Sequence, residues 1–437
     1  MLKECCYAKV RGMSLICQQY ITYRSSTELT VADIFREHWA AYRRKHPVTA
    51  EQARVVGALM ACRTPALGGR IDQCSKCGAL VFRFNSCRDR HCNQCQKYER
   101  AKWVAQQAVL ALPIPYFHVV FTTDHALNSL FRQNKVVMYD LLFEVVSGVL
   151  KGEVKRVLGC EVGITAVLHT WGQQIEEHIH IHTIVTGGGL SVDTLAGTGG
   201  QRWVKAKSQR YLVDVVALSA VYRDRLLSGI QRLYEAGRLS LSGEAAELDV
   251  VGLLQALRGK KWEVYMKPFK GPEVVTEYLS RYVHQVAISN YRLESIEGGK
   301  VKFRYYDNRR RAESGAKGPE KVLTVTAEEF IRRFLLHILP SGYKRIRYYG
   351  LHHSSARKEK LPRCRELLGL PRALPEIEEL DLQAWLAQVL GEDEVNRCPH
   401  CGAQNSLFQR AEFERLSWLA TMVLSVVAQP TRQGVCR

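Results

Sequence analysis

The stretch Glu176-Glu177-His178-Ile179-His180-Ile181-His182-Thr183-Ile184-Val185 alternates imidazoles with β-branched apolar residues, and Thr186 leads it into Gly187-Gly188-Gly189. A period of two is a strand signal. It sets His178, His180 and His182 on one face and Ile179 and Ile181 on the other. Neutral imidazoles spaced along one strand face are donors for a divalent metal. The competing reading is the polar side of a half-buried strand. A lone histidine would favour that; three in alternation favour the metal.

Working outward, residues 162–169 form the preceding strand, and Trp171-Gly172-Gln173-Gln174 turns the chain towards the histidines. With the loop centred between Gln174 and Ile175, antiparallel pairing puts His169 opposite His180, with Cβ atoms about 5 Å apart. His169 then completes a His169/His180/His182 cluster, and His178 lies nearer the loop. A slip of one residue would break this arrangement. Upstream, residues 98–112 read as a helix ended by Pro113 and Pro115, residues 116–122 as a buried strand, and 127–158 as helical. Strand, helix, strand, strand predicts an α+β fold: an antiparallel sheet with helices packed on one side.

The 62 Lys and Arg outnumber the 43 Asp and Glu by 19. That excess exceeds what solubility requires and predicts a polyanionic partner, nucleic acid ahead of a membrane surface. No apolar run reaches transmembrane length and no signal-peptide block opens the chain, which predicts a cytoplasmic, nucleoid-associated protein. There, 14 cysteines belong in metal sites or reduced core thiols rather than disulfides. No Walker or dinucleotide loop is present, so ATP-driven unwinding is not expected of this chain.

Residues 1–26 read as a weakly organised leader. A helical, zinc-binding domain is expected over 27–112. Residues 31–44 form an amphipathic helix, and Thr49-Ala50-Glu51-Gln52 is a capping box that opens a second. Two C-x-x-C pairs follow, Cys74 with Cys77 and Cys92 with Cys95, separated by 14 residues. That is zinc-ribbon spacing, four thiolates closing a structural Zn²⁺ tetrahedron. Cys62, Cys87 and His91 stand close enough to swap in or build a second site. Arg83, Arg88, Arg90, Lys97, Arg100 and Lys102 surround the cluster, as phosphate contacts or as a solvated basic face.

The main domain is expected over 113–353, with a helical, charged insertion at about 190–258. A helix beginning near Glu273 carries Tyr278 and Tyr282, four apart and so on one face. Such a pair usually packs. Beside a histidine metal site, a phenol can attack a phosphodiester if the metal polarises the phosphate and cations lower the phenol's pKa. Lys267, Lys270, Arg281 and His284 are candidates for that help. Residues 287–293 and 301–306 read as a hairpin whose Arg292 and Arg304 interleave with aromatics. Lys344, Arg345 and Arg347 repeat the mixture, which suits stacking on single-stranded bases beside phosphates. Residues 354–437 read as a connector and tail holding a further knuckle, Cys398-Pro399-His400-Cys401, with no obvious second pair.

Taken together, the cysteine segment, HTWGQ (169–173), HIHIHTIVTGGGL (178–190), YLSRYVHQVAISNYRL (278–293) and LPSGYKRIRYYGLHH (339–353) resemble the two-tyrosine HUH rolling-circle transposases of the insertion-sequence-ninety-one family. The likeness runs from about residue 30 to 353. It implies an HUH (RRM-like) antiparallel sheet behind a small zinc-binding domain. It implies His180 and His182 as ligands of a catalytic Mg²⁺ or Mn²⁺, and Tyr278 and Tyr282 as nucleophiles. Related HUH relaxases carry a third ligand histidine on the preceding strand, which agrees with His169. Where the family often has proline between the first two histidines, this chain has Ile179, a side chain that faces away from the ligands. The implied activity is nicking and rejoining of single-stranded DNA through 5′-phosphotyrosine. Its partners would be the single-stranded or hairpin ends of a mobile element, target DNA, and host replication and helicase factors. The alternatives are a plasmid replication initiator or relaxase, a metal-dependent hydrolase, and a non-catalytic zinc-containing nucleic-acid binder.

Overall fold

A computed structural model describes residues 21–22, 29–192, 200–271, 286–307, 318–376, 382, 385–387 and 391–414. The chain divides into two compact units. One comprises Glu99–Ile288 and Gly299–Glu379; the other gathers Met1–Tyr98, Ser289–Gly298 and Leu380–Arg437.

In chain order the elements are β1 (Ile21–Thr22), α1 (Val31–Lys45), α2 (Ala50–Ala61), β2 (Gly69–Cys74), β3 (Leu80–Phe84), α3 (Gln96–Leu110), β4 (Tyr116–Thr122), α4 (Asn128–Gln133) and α5 (Lys135–Leu158). They continue with β5 (Cys160–Glu161), β6 (Gly163–Trp171), β7 (Glu177–Thr186), β8 (Gly188–Ser191), β9 (Trp203–Lys205), α6 (Val215–Glu235), α7 (Val250–Arg258) and β10 (Val264–Phe269). Last come β11 (Leu293–Glu297), β12 (Lys300–Tyr306), β13 (Glu320–Thr326), α8 (Ala327–Leu336), β14 (Ile346–Gly350), α9 (Ser354–Leu367), α10 (Glu392–Val395) and β15 (Leu407–Phe413).

The larger unit is α+β, as expected, and is built on a five-stranded sheet in the order β10-β4-β7-β6-β14. Every neighbouring pair in it is antiparallel. Alternation divides the side chains cleanly. Phe117, Val119, Phe121, Ile164, Ala166, Leu168, Ile179, Ile181 and Val185 point to one face and join the core with Leu142, Val146 and Leu150 of α5 and Tyr222, Leu226 and Ile230 of α6. Burying each such side chain is worth roughly 1.5–3 kcal/mol. This face carries the larger core; on the histidine face Tyr116, Val167 and Ile184 pack with Trp103 of α3 and Leu361 of α9, and the histidines lie beside that second cluster.

The glycine run after β7 has a steric cause. A Cβ on Gly187 would lie 2.6 Å from the Pro115 carbonyl oxygen, and one on Gly189 would lie 2.0 Å from that of Glu161. Only glycine lets these backbones approach so closely.

In the smaller unit, α1 and α2 both open on capping boxes, Thr30 with Asp33 and Thr49 with Gln52. The second is the one predicted from the sequence. A four-stranded sheet, in the order β1-β3-β2-β15, completes this unit among the described residues.

Three expectations are corrected. Residues 190–258 are only partly helical, because β8 and β9 precede α6. The strand expected at 287–293 starts at Leu293, after a 3₁₀ turn over Asn290–Arg292. Residues 354–367 are a helix rather than a connector. Its mixed charge and internal Pro362 hide its periodicity.

Thr165 Oγ1 lies 3.0 Å from Nδ1 of His352 in the 339–353 segment. Desolvation, and secondarily Arg357, depress the His352 pKa to about 4. As pH falls, the unfolded chain takes up this proton near the ordinary 6.5, before the folded one does. The stability that neutral His352 contributes is therefore present above pH 6.5 and lost from there down towards pH 4. Relative to His352→Gln, the wild type is expected to lose about 1–2 kcal/mol between pH 7 and pH 5, measured by urea denaturation. Parallel losses in the two proteins would reject this.

Candidate active site

The strand β7 is central, paired with β4 on one side and β6 on the other. His169 faces His180 directly, and His182 faces Val167 on β6 and Val120 on β4. This is the register expected from a turn centred between Gln174 and Ile175. The turn is held from outside: Arg333 donates to the Gln174 carbonyl (2.9 Å), and the His337 ring lies 3.0 Å from that of Ile175. Those contacts hold Ile175 at φ 60°, a left-handed conformation unfavourable for a β-branched residue.

The ligand atoms of His169, His180 and His182 all lie within 4.8 Å of one another, and all three residues are buried. Nε2 of His180 and Nε2 of His182 are 3.1 Å apart. Two nitrogens bound cis on an octahedral ion, each about 2.1 Å from it, would be roughly 3.0 Å apart. The tautomers suit this. His180 Nδ1 is 2.8 Å from the His178 carbonyl oxygen and so carries the proton, leaving an Nε2 lone pair facing the cluster. Burial first, then the neighbouring imidazoles, hold His180 and His182 well below the ordinary histidine range. Both are neutral and available to a metal. As three nitrogens with no carboxylate in the group, they fit Mn²⁺ or a later first-row ion better than Mg²⁺, which prefers oxygen.

Two neighbours shape the cluster. Trp171 stacks on His169 with ring centroids 4.7 Å apart. His118, on β4, stacks on His182, its Nε2 2.9 Å from His182 Nδ1. Sequence reasoning missed His118, because one histidine between Phe117 and Val119 reads as part of a buried strand. His178 falls outside the group of three, and its ring packs near His125 at 5.3 Å.

The basic candidates separate. Lys267 pairs opposite His118 on β10, so it shares the histidine face, and it is exposed. Lys270 and Lys344 are exposed too. Arg345 is 8% exposed. Arg347 is engaged with Asp140 and lies over the Phe143 ring, so these two are parts of the packing rather than free cations. Arg304 pairs with Glu320 at 3.7 Å on β12, and Arg292 is half-buried at the 3₁₀ turn. Tyr278, Tyr282, Arg281 and His284 lie outside the described residues.

The cysteines group differently from the expectation. Cys74 and Cys77 are not with Cys92 and Cys95. One cluster is Cys62, Cys87, Cys92 and Cys95; the other is Cys74, Cys77, Cys398 and Cys401. The cause is local. Cys74 and Cys77 sit in the β2–β3 turn, whereas Cys87 to Cys95 belong to the loop after β3, which returns to Cys62 at the end of α2. That loop is built around Asp89, which takes the His91 amide (2.8 Å) and ring (2.9 Å) and pairs with Arg54. His91 is thus occupied by Asp89. In the first cluster the Sγ atoms of Cys62 and Cys87 each lie 3.6 Å from that of Cys95, and Cys92 lies 3.6 Å from Cys62. A zinc tetrahedron with Zn–S near 2.3 Å has edges of about 3.8 Å, and a disulfide would need about 2.05 Å. The donor set fits zinc.

Residues 163–360 match a family model described as "Putative transposase", and residues 34–123 match one described as "Transposase zinc-binding domain". Over 353 residues the chain is 43% identical to "Putative transposase y4qJ" of Sinorhizobium fredii, covering 79% of this chain and 85% of that protein. The chain belongs to the insertion-sequence-ninety-one family of transposases. The transposase for insertion sequence element IS801 of Pseudomonas savastanoi pv. phaseolicola is 27% identical over 376 residues, 84% of this chain and 85% of that one. No solved structure matches this transposase. Among its described residues, no helix is long and apolar enough to cross a membrane.

Proposed function

We propose that this transposase nicks and rejoins single-stranded DNA at the ends of a mobile element through 5′-phosphotyrosine intermediates, in rolling-circle fashion. The observation that carries the reading is the convergence of His169, His180 and His182 on one point of the sheet face opposite α5 and α6. A bound divalent ion, Mn²⁺ in preference to Mg²⁺, would supply Lewis-acid polarisation of the scissile phosphate.

The chain's own residues do the rest. His169, His180 and His182 would hold the ion. The His178 carbonyl and His118 orient two of those rings, as outer partners of metal ligands do. Exposed Lys267, on the same face, draws in the phosphate backbone and is joined by Lys270. The phenolate oxygen of Tyr278 or Tyr282 attacks phosphorus, the P–O3′ bond breaks, and the departing 3′ oxygen takes up a proton. The 5′ side stays on the tyrosine as a phosphodiester. In the reverse sense a 3′-OH attacks that phosphotyrosine and releases the phenol. One phosphodiester replaces another, so no ATP is consumed, and the second tyrosine can take the other strand. Host replication and helicase factors would supply the single-stranded template. The zinc-bearing unit would grip the element end, with exposed Arg88 and Lys97 meeting its phosphates.

The test is incubation with labelled single-stranded element-end DNA and Mn²⁺, followed by a denaturing gel. A covalent protein–DNA band is expected from the wild type and none from Tyr278→Phe combined with Tyr282→Phe. A wild type that forms no band, or a double variant that keeps it, would refute the nucleophile assignment.

A further inference from the structure

We propose that the chain holds a second structural zinc ion, on Cys74, Cys77, Cys398 and Cys401, which fastens a C-terminal knuckle onto the N-terminal β2–β3 hairpin. The match to the zinc-binding domain spans residues 34–123 and leaves Cys398 and Cys401 outside it.

Geometry comes first. Cys74 Sγ lies 3.8 Å from Cys401 Sγ, Cys77 Sγ lies 3.8 Å from Cys398 Sγ, and all four sulfurs lie within 4.8 Å of one another. The 3.8 Å separations equal the edge of a zinc–thiolate tetrahedron and are nearly twice a disulfide bond.

The two halves are also built alike. Cys74-Ser75-Lys76-Cys77-Gly78-Ala79 and Cys398-Pro399-His400-Cys401-Gly402-Ala403 share the pattern C-x-x-C-G-A. In each, the glycine amide donates to the carbonyl of the first cysteine, at 3.0 and 2.9 Å, and the first cysteine's amide donates to the alanine carbonyl, at 2.9 Å in both. Gly78 and Gly402 have φ of 72° and 71°, a left-handed conformation that closes the knuckle and suits glycine. The Lys76 amide points at Cys74 Sγ (3.4 Å), a contact that favours the thiolate a metal needs.

The two knuckles are brought together by more than their sulfurs. The strand β15 pairs antiparallel with β2 from Leu407 opposite Cys74 to Phe413 opposite Gly69. Phe413 packs on Phe82 and Phe84, and the Ser75 amide donates to the Ser406 carbonyl at 2.8 Å. Yet among the described residues the buried apolar cluster here is Cys74, Val81, Cys398 and Leu407, with Cys77 packed against it. A core that small does not hold four thiols together unaided, and small domains of this kind rely on a metal.

Metal analysis of the full-length protein, purified under reducing conditions, tests this. Two zinc ions per chain are expected for the wild type, falling to one in Cys398→Ser/Cys401→Ser, with trypsin then cutting within residues 391–414. Cys401→His, which keeps a zinc-competent donor, is expected to retain two and guards against a folding failure in the serine variant. One zinc in the wild type, two in the double-serine variant, or an intact mass lower by two disulfides' worth of hydrogen would each overturn the proposal.

Discussion

Replacing His182 with alanine is expected to lower the rate of single-strand cleavage by about 10³-fold, because the proposed ion, which would supply several kcal/mol of transition-state stabilisation, would lose a central ligand. His182 sits between His180, 3.1 Å from its Nε2, and His118, 2.9 Å from its Nδ1, so its removal also strips the outer support from the cluster. The contrast with its neighbours gives the prediction its force. His178 is on the same strand face but outside the group of three, so His178→Ala is expected to stay within a few-fold of wild type. His118→Ala removes an orienting partner rather than a ligand and is expected to cost 10- to 100-fold. Single-turnover cleavage of labelled DNA in Mn²⁺ ranks the three. If His178→Ala proved as damaging as His182→Ala, the ligand set would be wrong.

Cys92→Ser is expected to unfold the loop that joins β3 to α3. That loop holds Cys87, Asp89, His91 and Cys95 and buries few apolar side chains of its own, so the metal substitutes for a core. Structural zinc sites bind with about 10–16 kcal/mol, and where the apo form does not fold that energy is folding energy. The expected result is loss of one zinc, rapid trypsin cleavage within 62–98 and loss of element-end DNA binding. The larger unit, with its own extensive core on α5 and α6, should keep its protease resistance. Wild-type resistance of 62–98 in the variant would mean that the loop stands without metal.

How much of this was legible in the sequence varies with how local the cause is. The strand β7 declared itself because the same residues set both its period and its chemistry. The His169–His180 pairing followed from the turn centre alone, since antiparallel register is symmetric about it. The α+β class followed from element order, but helices on one side only did not hold, since α3 and α9 cover part of the histidine face through Trp103 and Leu361. The partition of the cysteines did not. Cys74 and Cys398 are joined across most of the chain, and spacing within a segment carries no information about so distant a partner. The repeated C-x-x-C-G-A was the one local signal. His118 was hidden by its apolar flanks, since its role appears only once β4 is laid beside β7. Arg345 and Arg347 read as DNA contacts because charge in a sequence reveals neither the burial of Arg345 nor the Asp140 and Phe143 that receive Arg347.

The central claim is that the histidine cluster prepares a DNA phosphate for Tyr278 or Tyr282. The most direct measurement is to digest the covalent protein–DNA product formed in Mn²⁺ with trypsin and nuclease and to locate the phosphonucleotide by mass spectrometry. The prediction is a nucleotide on the peptide that carries Tyr278 or Tyr282, present with wild type and absent with His182→Ala. A nucleotide on any other residue, or an adduct undiminished in His182→Ala, would contradict it.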